Sequence, residues 1–233
     1  MNRVFVLLLL LGVSSCAGNS ADSKTADALR NEVSTAPVAP ARSPVPQTPR
    51  IVVLGDSLTA GLGLDPADAY PAVLQRMLKA QGFPFEVVNA GVSGDTSADG
   101  LRRLDWALDG DVQVLILALG ANDGLRGLPP AQMKDNLQRI ITRARQRGIA
   151  VLLAGMEAPP NFGARYTDEF RAAFKDLASE NHLVFVPFLL EGVAGVASLN
   201  QNDLMHPTAR GARMIAETLW PSLEKMIQTG RVR

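Results

Sequence analysis

Ser57 lies in the turn that follows an apolar run at residues 50–55, within the sequence VVLGDSLTAGLG. A serine hydroxyl is a weak nucleophile unless an imidazole removes its proton. The imidazole in turn needs a third group that holds its tautomer and stabilises the imidazolium ion. Ser57 is therefore a candidate nucleophile only if a histidine and an acid can reach it. Otherwise it is a turn residue that caps the next helix.

The chain has two histidines, His182 and His206. Asp203 precedes His206 by three residues, so its carboxylate can accept a hydrogen bond from the imidazole Nδ1 within one loop or helical turn. A lone Asp-x-x-His pattern is more often an aspartate cap before a helix, and Pro207 suits the first turn of such a helix. The choice of a base for Ser57 depends on where the fold places the two histidines.

Apolar runs alternate with helical patterns from residue 50 onward. The runs are rich in β-branched residues and leucine and lack polar alternation, which is typical of strands covered on both faces. They predict strands at residues 50–55, 85–90, 112–120, 149–155 and 183–188, and helices at about 66–81, 97–109, 129–147, 167–181 and 207–228. This alternation predicts an α/β domain, a three-layer α/β/α sandwich with a five-stranded parallel sheet.

Ligands of such sheets bind beyond the carboxyl ends of the strands. Polar turns occur at that edge after four of the predicted strands: Ser57, SGDTS at 93–97, LGANDG at 119–124 and NDLMHP at 202–207. His206 therefore lies at the edge that carries Ser57. His182 lies at the opposite edge, between a helix end and a strand start, and is predicted to be an ordinary helix-terminal histidine.

The same turns contain hydrogen-bond donors for the oxyanion that forms when a carbonyl carbon is attacked. Gly94 can present its backbone N–H with no side chain in the way, and Asn122 can present a side-chain amide. The N–H of Ser57 would be the third donor. Each of these turn sequences is common on its own, so the hypothesis depends on their occurring together with His206 and Asp203.

Four sequence blocks, taken together, resemble those of the SGNH hydrolases, also called GDSL esterases. In chain order they are GDSL at 55–58, Gly94 in SGDTS, GAND at 120–123 and DLMH at 203–206. Three longer stretches are similar to the bacterial thioesterase I, lysophospholipase and arylesterase branch of that family: VVNAGVSGDTSADGLRRL at 87–104, NDGLRGLPP at 122–130 and APPNFGARYTDEF at 158–170. The resemblance covers about residues 50–228.

The resemblance implies a role for each of five residues. Ser57 would be the nucleophile, His206 the base and Asp203 the acid that orients the base. The N–H of Ser57, the N–H of Gly94 and the side chain of Asn122 would form the oxyanion hole. The resemblance also implies a flavodoxin-like fold, with no metal and no organic cofactor.

Other kinds of site explain these residues less well. Asp56 and Asp123 are interpreted as turn and hydrogen-bonding residues, because a glycosidase carboxylate pair would leave the serine, histidine and asparagine unexplained. The spacing of Gly55, Gly61 and Gly63 does not fit a dinucleotide loop, and no Gly-Lys-Ser/Thr sequence follows them. A formal net charge of zero predicts no nucleic-acid partner, and a single cysteine excludes a disulfide framework.

Residues 1–16 are predicted to be a bacterial export signal. An apolar run follows Arg3 and is too short to span a bilayer, and VSSC at 13–16 resembles a lipoprotein lipobox in which Cys16 would be lipidated. Residues 17–49, rich in Ala, Pro and Ser, are predicted to be a disordered tether, and residues 50–233 the hydrolase domain. The expected location is the periplasmic face of a membrane through a lipid anchor, or alternatively the soluble periplasm.

These inferences predict a serine hydrolase of carboxylic esters and thioesters that acts through an acyl-enzyme. Met156, Phe162 and Tyr166, together with the loop at 124–130, would line an apolar groove for the acyl group, unless these loops pack on themselves. Two alternatives remain at this point, a deacetylase of cell-envelope polysaccharide and a lipoprotein that binds acyl chains or lipids without turnover. A non-catalytic binder would not need the complete set of serine, asparagine, histidine and aspartate.

Overall fold

The structure, a computed structural model, describes residues 48–230. The predictions for the signal segment, for Cys16 and for the tether up to residue 47 lie outside the described residues. Five strands form one sheet: β1 (Arg50–Gly55), β2 (Glu86–Gly91), β3 (Val112–Ala118), β4 (Ala150–Ala154) and β5 (Val184–Val186). All the pairings are parallel, and the strand order is β2-β1-β3-β4-β5, which confirms the predicted sheet.

Eight α-helices connect and follow the strands in the described part of the chain. They are α1 (Ser57–Ala60), α2 (Tyr70–Ala80), α3 (Ser97–Arg102), α4 (Leu104–Ala107), α5 (Ala121–Leu125), α6 (Pro130–Gln146), α7 (Ala164–Glu180) and α8 (Ala209–Gln228). Short 3₁₀ turns lie at Pro66–Asp68, Pro160–Phe162 and Ala197–Leu199. None of the helices within residues 48–230 is long and apolar enough to cross a bilayer.

The strand order explains how the helices form two layers. The chain moves from β1 to β2, then returns past β1 to β3 and continues in that direction to β5. Because crossovers between parallel strands are right-handed, this reversal places the connecting helices on opposite faces of the sheet. α2 packs against α8, while α6 packs against α3 and α7. The direction in which the chain adds strands to the sheet thus reverses between β1 and β3. Ligands of such sheets bind at that point.

The core lies between these layers and the central strands. In β3, residues 114–117 are all 0% exposed, and in β1, residues 51–54 are at most 1% exposed. Strands buried on both faces have no solvent side, so their sequences are continuously apolar. A rigid, dry sheet therefore supports the turns at its carboxyl edge.

The structure differs from the sequence prediction at short elements. The predicted helix at 97–109 is two helices, α3 and α4, interrupted at Arg103. α1 and α5 were not predicted, because four or five residues are too few to display the 3.6-residue period of a helix. β5 has three residues, whereas the apolar run predicts six, because the chain leaves the sheet after Val186.

Candidate active site

Ser57 is the first residue of α1, directly beyond the carboxyl end of β1. The Asp56 carboxylate caps this short helix by accepting a hydrogen bond from the Leu58 N–H at 3.0 Å. Gly61 ends the helix in the left-handed conformation, with φ 76°, which a glycine adopts without a steric penalty. The GDSL turn thus presents the Ser57 side chain, half-buried, at the start of a helix.

Two glycines allow α1 to lie directly on the sheet. A Cβ atom at Gly91 in β2 would lie 2.2 Å from the Ala60 nitrogen, and one at Gly55 would lie 1.9 Å from Thr59 Oγ1. Thr59 is fully buried and forms a hydrogen bond with the hydroxyl of Tyr70 in α2 at 2.6 Å. These contacts fix the height and the direction of the Ser57 turn above the strands.

His206 and Asp203 form a continuous hydrogen-bonded chain with Ser57. His206 Nε2 lies 3.0 Å from Ser57 Oγ, and His206 Nδ1 lies 2.6 Å from Asp203 Oδ2. A carboxylate can only accept, so a neutral imidazole in this arrangement carries its proton on Nδ1. Nε2 then accepts the hydrogen bond that the Ser57 hydroxyl donates.

The turn from Asp203 to His206 is held by its own backbone. Asp203 Oδ1 accepts hydrogen bonds from the N–H groups of Met205 and His206, both at 2.9 Å. Leu204 has φ 59°, which is unfavourable for leucine and is sustained by these local bonds. The hydrogen bond from the His206 imidazole, followed by these two backbone bonds, lowers the pKa of Asp203 well below its usual range. Asp203 therefore remains ionised beside the imidazole.

Gln201 joins the histidine turn to the serine turn. Its side-chain Nε2 donates to the Leu62 carbonyl at 2.7 Å and to the Pro207 carbonyl at 3.0 Å. Its backbone N–H donates to the His206 carbonyl at 2.7 Å. Gln201 cannot be identified from the sequence, because nothing in the local pattern indicates a contact with a loop that lies far away along the chain.

Gly94 and Asn122 lie on two of the turns that the sequence predicts at the carboxyl edge of the sheet. Gly94 has φ 87°, and its N–H has no hydrogen-bond acceptor among residues 48–230. Its carbonyl accepts a hydrogen bond from Arg126 Nη2 at 2.7 Å. Asn122 is the second residue of α5, and its Nδ2 donates to the Asp95 carbonyl at 3.0 Å. Asp95 follows Gly94 directly in the sequence.

Asp56 and Asp123 are hydrogen-bonding residues, as predicted from the sequence. Burial raises the pKa of Asp56 from 3.8 to about 6, although the Leu58 N–H opposes this shift. Asp123 is also buried, which raises its pKa, and its two oxygens accept from the N–H and the hydroxyl of Ser97 at 2.8 and 2.6 Å. The Ser97 hydroxyl accepts in turn from Asn136 at 3.0 Å. This network joins the turns that follow β2 and β3.

Several other candidates lie away from this cluster or are packed internally. His182 follows α7 at the opposite end of the sheet, with φ 49°. Met156 is only 5% exposed and belongs to the core, so it does not line an open groove. Phe162, 41% exposed, packs at a tilt of 45° against Tyr166, with ring centroids 5.2 Å apart. Within residues 48–230, no three His, Cys, Asp or Glu side chains are grouped as a metal site would require.

A family comparison matches most of this domain. The model of the GDSL-like lipase/acylhydrolase family matches residues 53–214, which includes all four turns at the carboxyl edge of the sheet. The chain belongs to this family.

Individual relatives agree with the family match. Esterase TesA from Pseudomonas aeruginosa is 42% identical over 178 residues, which are 76% of this chain and 89% of that protein. A protein from Escherichia coli named as thioesterase 1, protease 1 and lysophospholipase is 34% identical over 178 residues, covering 76% and 84% of the two chains.

The fold agrees with a solved structure as well. The crystal structure of the psychrotrophic esterase EstA from Pseudoalteromonas sp., inhibited by monoethylphosphonate, matches with a TM-score of 0.73 at 32% identity. The match covers 77% of this chain and 98% of that chain. The protein is a serine hydrolase of the esterase and thioesterase type.

Proposed function

We propose that Ser57, His206 and Asp203 carry out this hydrolysis as nucleophile, base and orienting acid. The observation that supports these roles is the unbroken chain from Ser57 Oγ through both nitrogens of His206 to Asp203. Ser57 Oγ attacks the substrate carbonyl carbon while its proton moves to His206 Nε2. The Asp203 carboxylate holds the imidazole in the tautomer that can accept this proton, and then stabilises the imidazolium ion.

The attack converts the carbonyl oxygen into an oxyanion. The N–H of Gly94 and the N–H of Ser57, at the start of α1, are backbone donors that need no rearrangement to bind it. Asn122 Nδ2 carries two hydrogens. It donates to the Asp95 carbonyl at 3.0 Å and makes a longer bond of 3.4 Å to Asp56 Oδ2. Turning the second hydrogen from this long contact to the oxyanion supplies the third donor. Fixed donors of this kind stabilise charge that exists only in the transition state.

The intermediate then breaks down in two stages. The carbon–oxygen or carbon–sulfur bond to the leaving group breaks, and the leaving group receives the proton from His206 Nε2. Ser57 remains as an acyl ester. His206 next removes a proton from water, which attacks the same carbonyl carbon, and the acid leaves as Ser57 recovers its hydrogen.

The substrates on this proposal are small acyl esters and thioesters, including aryl esters and lysophospholipids. The family membership supports this range. The triad is reachable from solvent, since the Asp203 side chain is 48% exposed, the His206 side chain is 16% exposed and Ser57 is half-buried. p-Nitrophenyl esters of graded chain length, an acyl-CoA, a lysophospholipid and an acetylated polysaccharide should be assayed side by side. Turnover of the polysaccharide alone would identify a deacetylase instead.

The nucleophile is tested with Ser57→Ala and a fluorophosphonate probe. The wild-type protein should gain one phosphonyl group on Ser57 in the intact mass and lose activity. Ser57→Ala should neither react nor hydrolyse p-nitrophenyl esters above about 10⁻³ of the wild-type rate. Ser93→Ala, which changes an exposed serine in the next turn, is the matched control and should behave as wild type. Hydrolysis by Ser57→Ala within about tenfold of wild type would contradict the assignment.

We also propose that the chain is exported and anchored, with residues 1–16 as the signal, 17–49 as the tether and 50–233 as the hydrolase domain. The support is the lipobox-like VSSC sequence, which ends on the one cysteine of the chain. In a bacterial host, a lipid-azide label should appear on the wild-type protein in the membrane fraction. Cys16→Ser should not take up the label and should no longer appear in the membrane fraction. An unlabelled, soluble wild-type protein would indicate a plain export signal.

A further inference from the structure

Arg103 is a partly buried cation near the candidate oxyanion hole. It lies between α3 and α4, and its side chain is 17% exposed. Nε donates to Asp95 Oδ2 at 2.6 Å, and Nη2 donates to the carbonyl of Gly55 at 2.9 Å. The arginine thus bonds to two segments that lie far apart in sequence, the end of β1 and the turn that follows β2.

These two contacts lead to all three proposed oxyanion donors. Gly55 is the last residue of β1, two positions before Ser57. Asp95 follows Gly94 directly, and its carbonyl is the acceptor of the Asn122 side-chain amide at 3.0 Å. One guanidinium group therefore connects the backbone that carries the Ser57 N–H, the backbone that carries the Gly94 N–H and the anchor of the Asn122 side chain.

We infer that Arg103, paired with Asp95, is a positioning residue that assembles the oxyanion hole before substrate binds. It does not touch the reacting atoms. It holds the Gly94 turn at a fixed distance from the end of β1, and through the Asp95 carbonyl it sets the direction of the Asn122 amide. This inference rests on the proposed function, because it assumes that these three groups are the donors.

Stability alone explains this arrangement poorly. Both side chains of the pair are largely removed from water, at 17% and 13% exposed, and such burial offsets most of the attraction between the charges. Arg103 Nη1 is also buried without a hydrogen-bond partner among the described residues, which adds a further penalty. A well-packed apolar side chain would serve the fold at least as well. Orienting the backbone and the amide of the proposed oxyanion donors explains the pair better.

The geometry requires an arginine. Two adjacent N–H groups of a rigid, planar fork contact a carboxylate and a backbone carbonyl at the same time. A lysine ammonium is a single point of charge on a flexible stem, so it can keep the charge and one contact but does not fix the angle between the two acceptors. Arg103→Lys should therefore restore activity only in part.

The test compares Arg103→Met, Arg103→Lys and Asp95→Asn with wild type in p-nitrophenyl ester hydrolysis. Arg103→Met should lower kcat by about 10- to 100-fold, the effect of a misplacement of about 1 Å in the catalytic groups, and should leave KM within about threefold. Asp95→Asn should act in the same direction, and Arg103→Lys should fall between wild type and Arg103→Met. Rates are expressed per folded molecule, from thermal melts of the same samples.

Arg102→Met is the matched control. Arg102 is adjacent in sequence, its side chain is 73% exposed, and it pairs with Asp99 on the surface. This variant removes one arginine and one ion pair from the end of α3, next to Arg103, without touching the proposed donors. Its kcat should stay within about twofold of wild type, as for most surface substitutions.

A double-mutant cycle with Asn122→Ala separates positioning from general damage. If Arg103 acts through the donors, Arg103→Met should lower kcat much less in the Asn122→Ala background than in wild type, because part of what it positions is already gone. If Arg103 had a purely structural role, Arg103→Met would lower kcat by the same factor in both backgrounds. Full additivity, or a wild-type kcat in Arg103→Met, would overturn the inference.

The proposed function fails on a different result. Wild-type rates in both Ser57→Ala and Asn122→Ala would remove the catalytic assignment itself. If those two variants turn over slowly and Arg103→Met keeps the wild-type kcat, the catalytic assignment stands and only the positioning role of Arg103 is contradicted. If Arg103→Met does not fold, Arg103→Lys and Asp95→Asn decide the question by the same criteria.

Discussion

The buried carboxyl of Asp56 makes the stability of the protein depend on pH in a direction that can be calculated. Asp56 is 1% exposed, and burial raises its pKa from 3.8 to about 6. Below about pH 3 the group is protonated in both the folded and the unfolded chain. As the pH rises, the unfolded chain ionises first, so the folded state loses stability between about pH 4 and pH 6. Above that range the loss is constant.

The size of this loss follows from the two pKa values. A change of one in pKa corresponds to about 1.4 kcal/mol, so the shift of Asp56 corresponds to about 3 kcal/mol of unfolding free energy. Asp56→Asn removes the ionisation and retains an oxygen that can accept from the Leu58 N–H. The unfolding free energy of Asp56→Asn minus that of wild type should therefore increase by about 3 kcal/mol from pH 3 to pH 7.

Urea unfolding of both proteins at intervals of half a pH unit measures this difference. The contributions of other groups, such as Asp203, are present in both proteins and cancel. Asp65→Asn is the control, because Asp65 caps the Ala67 N–H at 2.9 Å from an exposed position and its substitution carries no burial penalty. A difference for Asp56→Asn that stays constant with pH, or one that matches the control, would refute the reasoning.

Three further predictions concern the site and its packing. His206→Ala should lower kcat by at least about 10³-fold in ester hydrolysis, whereas His182→Ala, at the opposite end of the sheet, should stay within about twofold; the reverse result would contradict the choice of base. Asn122→Ala should lower kcat by about 10²–10³-fold with little change in KM, and a normal kcat with a lower melting temperature would remove it from the site. Gly91→Ala places a Cβ 2.2 Å from an α1 nitrogen, so it should destabilise the fold by about 1–3 kcal/mol in urea unfolding; an unchanged midpoint would contradict the close packing of α1.

The parts of the molecule that the sequence predicts well are those with a local or periodic cause. Strands covered on both faces must be continuously apolar, and this is why the five runs predict the sheet with small errors at their ends. The turn from Asp203 to His206 is similar, because three residues of backbone and one carboxylate determine its geometry. A short local pattern contains all the information that such a turn needs.

The parts that the sequence does not predict depend on contacts across the fold. Arg103 falls inside a stretch that predicts one continuous helix, and neither the helix break nor its contact with Gly55 has a periodic signal. Gln201 binds a carbonyl 139 positions away. Met156 follows a buried strand and packs into the core, whereas the loop composition favours a position in the acyl groove. In each case the surrounding tertiary structure decides the role of the side chain.

The hydrogen bond between Ser57 and His206 joins residues 149 positions apart, and this has a consequence for how the protein acquires activity. Ser57 follows the first strand, and His206 precedes the last helix, so almost the whole domain lies in the loop that this contact closes. Contacts between such distant residues carry a large loop-closure entropy and form late relative to local helices and turns. Esterase activity during refolding should therefore appear after the helical signal in circular dichroism. A chain that has not yet emerged from the ribosome as far as His206 should be inactive even where its sheet has formed.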